Sequence, residues 1–277
     1  SLRKKSTYSP IEGPLQNPLM GLAPWATATD IEQGHSLVYA DLTWREFEPE
    51  PGKYDFKAFE EKNDLAKWRD QGVRVVFRFV MDVPGDEAHL DIPDWLFKAT
   101  EGNGDYYDHE YGKGYSPDYN DPMLIGTHQK AIQALGERYG SDDFFAYIEL
   151  GSLGHWGEWH VNLDGNLHPL PNEETRNVYV SHYLTAFPRT HLLMRRPFNI
   201  AVEEQLGLYN DMTGHPVETL RWLDWIKHGG EFSQTGEKNA LSAMPEGWQV
   251  APIGGEQTGA LSNEILYGDG VNKTLAL

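Results

Sequence analysis

The 277-residue chain contains no cysteine, so disulfides, thiolate metal ligands and cysteine nucleophiles are excluded together. It has no apolar run near the roughly 20 residues that a bilayer-spanning helix needs, and membrane insertion is not expected. Positive charge is scarce: 23 Lys and Arg stand against 42 Asp and Glu, a formal net charge of −19. An acidic surface repels a phosphate backbone instead of releasing its counterions, which argues against a nucleic-acid partner. Anionic membrane surfaces are disfavoured for the same reason. No charge block, Pro/Ser-rich linker or short repeat divides the chain. One domain over residues 1–277 is expected, with residues 1–16 as an N-terminal extension. The start, Ser1-Leu2-Arg3-Lys4-Lys5, lacks both an apolar h-region and an initiating Met, and reads as a trimmed beginning. What is abundant is aromatic surface. Nine Trp, fourteen Tyr and eleven Phe supply enough core to exclude disorder. A Cys-free, acidic, Trp-rich composition points to an extracellular or cell-surface protein that handles polysaccharide. Nothing in it indicates an oligomeric state.

Apolar strand-like runs alternate with helical segments. The clearest strand is Val73 to Val80, rich in β-branched and aromatic residues after Gly72. Others are expected at Met20 to Trp25, Ser36 to Thr43, Phe144 to Leu150, His191 to Arg195, Leu206 to Tyr209 and Gln249 to Ile253. Asp121-Pro122 reads as the N-cap and first turn of a helix closed by Gly140. Asp55 caps a second, running to about Gln71, and Pro216 opens a third that ends at Gly229-Gly230. Seven strands in βα order, with no Gly-rich dinucleotide fingerprint after an early one, favour an α/β fold of the (β/α)8 TIM-type barrel kind. The eighth strand is missing from this count. Either further C-terminal sequence belongs to the native protein or the segment 1–16 covers the gap, and the first is favoured because Asn272 to Leu277 stops in mid-pattern.

In such a barrel the active site lies at the C-terminal ends of the strands. Asp41 to Glu48 follow the second strand, Asp82 the third and Glu149 the fourth, with His155, Trp156, Glu158, Trp159 and His160 just beyond. Arg195 and Arg196 follow the fifth, Asn210 and Asp211 the sixth, Glu256 and Gln257 the seventh. Carboxylates, Trp and Asn on one rim suit a sugar, whose hydroxyls need polar partners and whose ring faces stack on indole. Arg78 shares a strand face with Val76, Val80 and Asp82 and is expected inside the barrel, where it needs a carboxylate such as Glu149. The loop Asp105 to Asp121 lacks regular calcium-loop spacing and reads as a Tyr- and Gly-rich rim of the cleft. His155, Glu158 and His160 match no known zinc spacing, so no metal and no cofactor is expected. Asn272-Lys273-Thr274 fits the glycosylation pattern and reads as chance.

The stretch Asp41 to Phe56, with Trp44, Glu48-Pro49 and Gly52-Lys53-Tyr54-Asp55-Phe56, resembles the segment after strand two of clan A glycoside hydrolases such as the family 42 and family 35 β-galactosidases. Gly151 to His160 resembles the G-x-x-G-x-W-G-E-W signature of a bacterial glycosidase-like family, and Gly254-Gly255-Glu256 is similar to its late G-G-E. The resemblance spans residues 17 to 277. It implies glycoside hydrolysis by two carboxylates, one from strand four and one from strand seven, one protonated and one ionised. On that reading Glu256 is the nucleophile and Glu158 the general acid/base, with Glu149 as the alternative. Trp44, Arg78, Asp82, Trp156, His160, Arg195, Asn210, Asp211 and Gln257 line the sugar subsites, and the mechanism is retaining. Strand four of clan A usually ends in Asn-Glu, whereas Glu149 follows Ile148, which leaves the acid open between Glu149 and Glu158. The rival readings are a non-catalytic carbohydrate-binding barrel and a metal-dependent hydrolase using His155 and His160.

Overall fold

The computed structural model describes residues 17–262. Its centre is a parallel sheet of β1 (Leu37–Thr43), β2 (Arg74–Val80), β5 (Phe145–Glu149), β6 (His191–Met194), β7 (Gly207–Thr213) and β10 (Ile253–Gln257), neighbours in that order. Trp25 adds a single parallel bridge to Tyr39 outside β1, so the first expected strand is reduced to one pairing. Two antiparallel hairpins stand apart, β3 (Gly104–His109) with β4 (Gly112–Pro117), and β8 (Gly230–Phe232) with β9 (Glu237–Leu241). The first replaces the expected irregular rim loop. The helices are α1 (Trp44–Phe47), α2 (Phe56–Lys62), α3 (Leu65–Asp70), α4 (Asp94–Ala99), α5 (Pro122–Tyr139), α6 (Glu173–Ala186), α7 (Asn199–Glu203) and α8 (Pro216–His228).

Sequential parallel strands with helices between them are the order of a (β/α)8 barrel, of which the described residues form a partial arc. The arc is strongly curled. Arg78 on β2 reaches Glu256 on β10 at 3.4 Å, although four strand spacings of about 4.8 Å would separate them in a flat sheet. On β2, Val75, Phe77 and Phe79 face the helices, where Phe77 meets Phe59 and Phe79 meets Trp44. Alternation turns Arg78 to the inside.

Helix ends follow local chemistry. Asp121 accepts from the Met123 and Leu124 amides and Pro122 occupies the first turn of α5, as the sequence predicts. Asp55 caps α2 through the Ala58 amide, but the single helix expected to run to Gln71 is two. Asp64 adopts a left-handed backbone (φ 49°) that breaks it. Two strands also shift. Gln249 sits in a short 3-10 turn and the last strand begins at Ile253, four residues later than expected. β7 runs on to Thr213, because Asn210 and Asp211 find partners within the sheet and its rim. Segment 1–16, Gly268-Asp269-Gly270 and Asn272 to Leu277 lie outside the described residues.

Candidate active site

Arg78 is the hub. Its guanidinium is 3% exposed and binds Glu149 Oε2 through Nε at 3.0 Å and Nη2 at 2.6 Å. Nη1 lies 3.4 Å from Glu158 Oε1, and Nη2 lies 3.4 Å from Glu256 Oε2. All three carboxylates named from the sequence therefore meet on one side chain. The rings of Tyr39 and Tyr209 flank it at 5.5 and 4.9 Å. Burial works against the charge, yet these anions hold the Arg78 pKa above its ordinary value.

Two irregularities of the sheet aim these groups. Strict alternation would put Phe145, Tyr147 and Glu149 on one face, against the helices. A register shift between Val75↔Phe145 and Val76↔Tyr147 inserts Ala146 as an extra residue. Phe145 still packs on Tyr139 of α5, while Glu149 turns inward to Arg78. On β7 the pairing steps from Asn210 to Thr213 while β10 steps from Gly255 to Gln257, leaving Asp211 in the wider stretch opposite Glu256.

The loop after β5, Gly151 to His160, delivers the remaining groups through an unusual backbone. Ser152, Trp156 and Trp159 have φ of 69°, 54° and 61°, and Gly154 and Gly157 are also left-handed. Such strain persists only where surroundings over-determine it, and they do. The Ser152 amide donates to Phe79 O, the Trp156 amide to Asp82 O, and the Trp159 indole to Leu150 O. Asp82 is fully buried and accepts from Tyr107 Oη and His155 Nδ1. The Asn162 amide can only donate, so His155 Nε2 is the acceptor and its proton sits on Nδ1. Both nitrogens of His155 are thus committed, which overturns its reading as a metal ligand.

Glu158, His160 and Asp211 converge, with one ligand-type atom of each within 4.8 Å of the others. His160 Nε2 is 3.1 Å from Glu158 Oε2 and 4.0 Å from Asp211 Oδ2. Each carboxylate gives its other oxygen to an arginine, Glu158 to Arg78 and Asp211 to Arg195. Arg196 donates to the carbonyls of Glu158 and Trp159 and packs on Trp225 and Phe232. Burial, then the Asp211 charge, pushes Glu158 up to about 8, against the pull of Arg78 and Arg195. Glu256 is raised to about 8 by burial, with Glu158 and Glu149 adding to it. Its side chain is still 47% exposed, so solvent reaches it. Burial keeps the His160 imidazole neutral, down at about 3. Asp211 moves the other way: burial raises it, but Arg195 and Arg196 outweigh that and hold it below its ordinary value.

Several expected sugar-lining residues have other positions. Trp44 is fully buried in the core, donating to Glu48 at 2.8 Å and packing on Phe79 and His128. Its clan A-like segment builds α1 and not the rim. Asp82 braces the loop from beneath. Asn210 accepts from the Met212 amide inside β7, and Gln257 stands exposed in β10. Trp156 does stand by the carboxylates, its ring 6.1 Å from His160 and 5.7 Å from Tyr111. The sequence reading missed Tyr111, at the β3–β4 turn, and Tyr39 and Tyr209. The last was legible by alternation from Asp211. Two clefts of about 530 and 580 Å³ lie on the helical exterior, along α6–α7 and α5–α6, and neither is lined by residues of the carboxylate cluster.

No family model matches the chain, and no curated protein matches it. Among solved structures it is similar to endo-glycoceramidase II from Rhodococcus sp. in its lactosyl-enzyme intermediate, at 16% identity and a TM-score of 0.42 over 68% of this chain and 51% of that one. It is also similar to a psychrophilic glycoside hydrolase family 10 endo-β-1,4-xylanase, at 14% identity and a TM-score of 0.38 over 70% and 51%. The chain spans about half the length of each. Among the described residues no helix is long and apolar enough to cross a membrane.

Proposed function

We propose that the protein is a glycoside hydrolase in which Glu158 is the general acid/base and Glu256 the nucleophile. One observation carries the reading: carboxyls from the loop after β5 and from β10 face the same guanidinium, each at 3.4 Å. That contact bounds their separation at roughly 9 Å, within which retaining pairs (about 5–5.5 Å) and most inverting pairs (about 6.5–9.5 Å) both fall. Both spacings satisfy that bound, and the clan A resemblance is what favours retention.

Hydrolysis needs one carboxyl protonated and one ionised. Both are raised, Glu158 by burial and the Asp211 charge, Glu256 by burial with Glu158 and Glu149 adding to it. Glu256 ionises first because water still reaches it, whereas the Glu158 side chain is 10% exposed. Glu158 then keeps the proton for the leaving oxygen. Glu149, held by two nitrogens of Arg78, is the structural partner and not the acid. Trp156 and Tyr111 offer faces on which a sugar ring stacks.

The test is a panel of aryl glycosides and polysaccharides with wild type and Glu256→Gln. The amide cannot form a glycosyl intermediate, so turnover falls by at least about 10³-fold. The fold survives, since the Glu256 side chain is half exposed and touches Arg78 only at 3.4 Å. Wild-type-like turnover in that variant removes the nucleophile role. Carbohydrate binding without cleavage by the wild type places the protein among non-catalytic binders. NMR of the first-formed anomer reports retention, and an inverted product contradicts it.

A further inference from the structure

We infer that the Arg195–Asp211 pair is the positioning device that keeps the proton on Glu158. This rests on the glycosidase reading for its purpose, but the placement of the proton is argued from geometry alone. Glu158 is faced by Arg78 from β2, Glu149 from β5, His160 from its own loop, Arg195 and Arg196 from behind β6, Tyr209 and Asp211 from β7 and Glu256 from β10.

The guanidiniums are shared unequally among these anions. Arg78 gives its short bonds to Glu149 and only 3.4 Å contacts to Glu158 and Glu256. Arg196 spends Nη1 on backbone carbonyls. Arg195 donates Nη2 to Asp211 Oδ1, and its buried Nε and Nη1 have no hydrogen-bond partner, so Asp211 is the one carboxylate in direct contact with it among the described residues. A buried cation with a single anion holds that anion ionised. Asp211 then presents Oδ2 to the side on which Glu158 Oε2 and the neutral His160 lie. Ionising Glu158 would set a second carboxylate against it, balanced only by the 3.4 Å contact of an Arg78 that Glu149 and Glu256 share. Of the two carboxyls, Glu158 takes the proton.

The experiment titrates Glu158 directly, by ¹³C NMR of protein labelled at the glutamate carboxyls, with Glu158→Gln identifying its signal. Asp211→Asn removes the neighbouring charge and moves the Glu158 midpoint down by about one pH unit or more. Arg195→Gln frees Asp211 to compete for the proton, so the Glu158 signal gains a lower step shared with Asp211. The basic limb of the kcat/KM profile follows both changes. The added lower step is the signature, because loss of the direct field of Arg195 alone would only raise a single Glu158 midpoint and a merely structural role adds no step. An unmoved midpoint in Asp211→Asn, or a single raised step in Arg195→Gln, overturns the assignment. If one variant does not fold, the result of the other still decides. The NMR result stands without turnover, so a protein that cleaves no glycoside but shows both changes loses the glycosidase reading and keeps this one.

Discussion

Arg78 and Glu149 sit directly opposite each other in the register of β2 and β5, and Arg78 Nη2 is 2.6 Å from Glu149 Oε2. Their side chains are 3% and 7% exposed, so without Arg78 the Glu149 charge would be buried and unpaired, and without Glu149 the guanidinium would keep only its two 3.4 Å contacts. The pair fixes the guanidinium that Glu158 and Glu256 share. It therefore belongs to both the stability of the barrel interior and the geometry of the site.

Glu149→Gln is expected to destabilise the protein by about 3 kcal/mol, the lower part of the range for breaking a buried ion pair. The lower part applies because Glu158 and Glu256 remain within 3.4 Å of Arg78. Urea unfolding at pH 7 measures it. A loss under about 1 kcal/mol, the scale of exposed pairs, contradicts the structural role of Glu149.

How far the sequence shows this site depends on which rule governs each residue. Alternation along an apolar strand is a strong local signal, and it put Arg78 inside the barrel correctly. Alternation alone would misplace Glu149, because a bulge at Ala146 changes the face, and it was the need of a buried Arg78 for a carboxylate that pointed to it correctly. Trp44 shows the limit of a motif: the residues match a rim segment, yet long-range packing on Phe79 and His128 draws the indole into the core. β7 runs past Tyr209 to Thr213 although Asn210 and Asp211 are of residue types that favour turns. Their partners, the Met212 amide and Arg195, are visible only in three dimensions. The hairpin β3–β4 was hidden in the same way behind Gly and Asp content.

A buried polar chain ties the strained loop to the helices. His182 Nδ1 lies 2.8 Å from His128 Nδ1, His128 Nε2 2.7 Å from Ser152 Oγ, and Ser152 Oγ 2.6 Å from Tyr183 Oη. Burial pushes both imidazoles below their ordinary pKa, and each also lies against a second ring. A folded-state pKa below the unfolded value gives stability that is complete above about pH 6.5 and is lost as pH falls. The raised carboxyls of Glu158 and Glu256 have the opposite sign, their contribution full below about pH 4.5 and lost as pH rises through about 8. Global melting therefore mixes two slopes, and ring-resolved NMR separates them. His128 is expected to stay neutral throughout pH 5.5–8, and a titration midpoint near 6.5 contradicts the buried pair.

The last prediction concerns two glycines whose surroundings give opposite signs. Gly154 has φ +79°, and a Cβ there would stand 2.4 Å from the His160 carbonyl oxygen and 2.6 Å from its amide nitrogen. Both obstacles are backbone, so an alanine must push the His160 segment aside as well as adopt a left-handed conformation. Gly154→Ala is expected to cost about 2 kcal/mol or more and to loosen the His160–Glu158 contact, lowering kcat more than it raises KM. Gly126, within α5, has nothing within 4 Å of its would-be Cβ and no positive φ. There the extra methyl only restricts the unfolded chain and favours the helix, so Gly126→Ala should stabilise by about 0.5–1 kcal/mol. Urea midpoints of the two variants, measured side by side, check the pair. Equal tolerance at Gly154 and Gly126 would mean that the loop from Gly151 to His160 is not held in the strained form that aims Glu158 at Arg78.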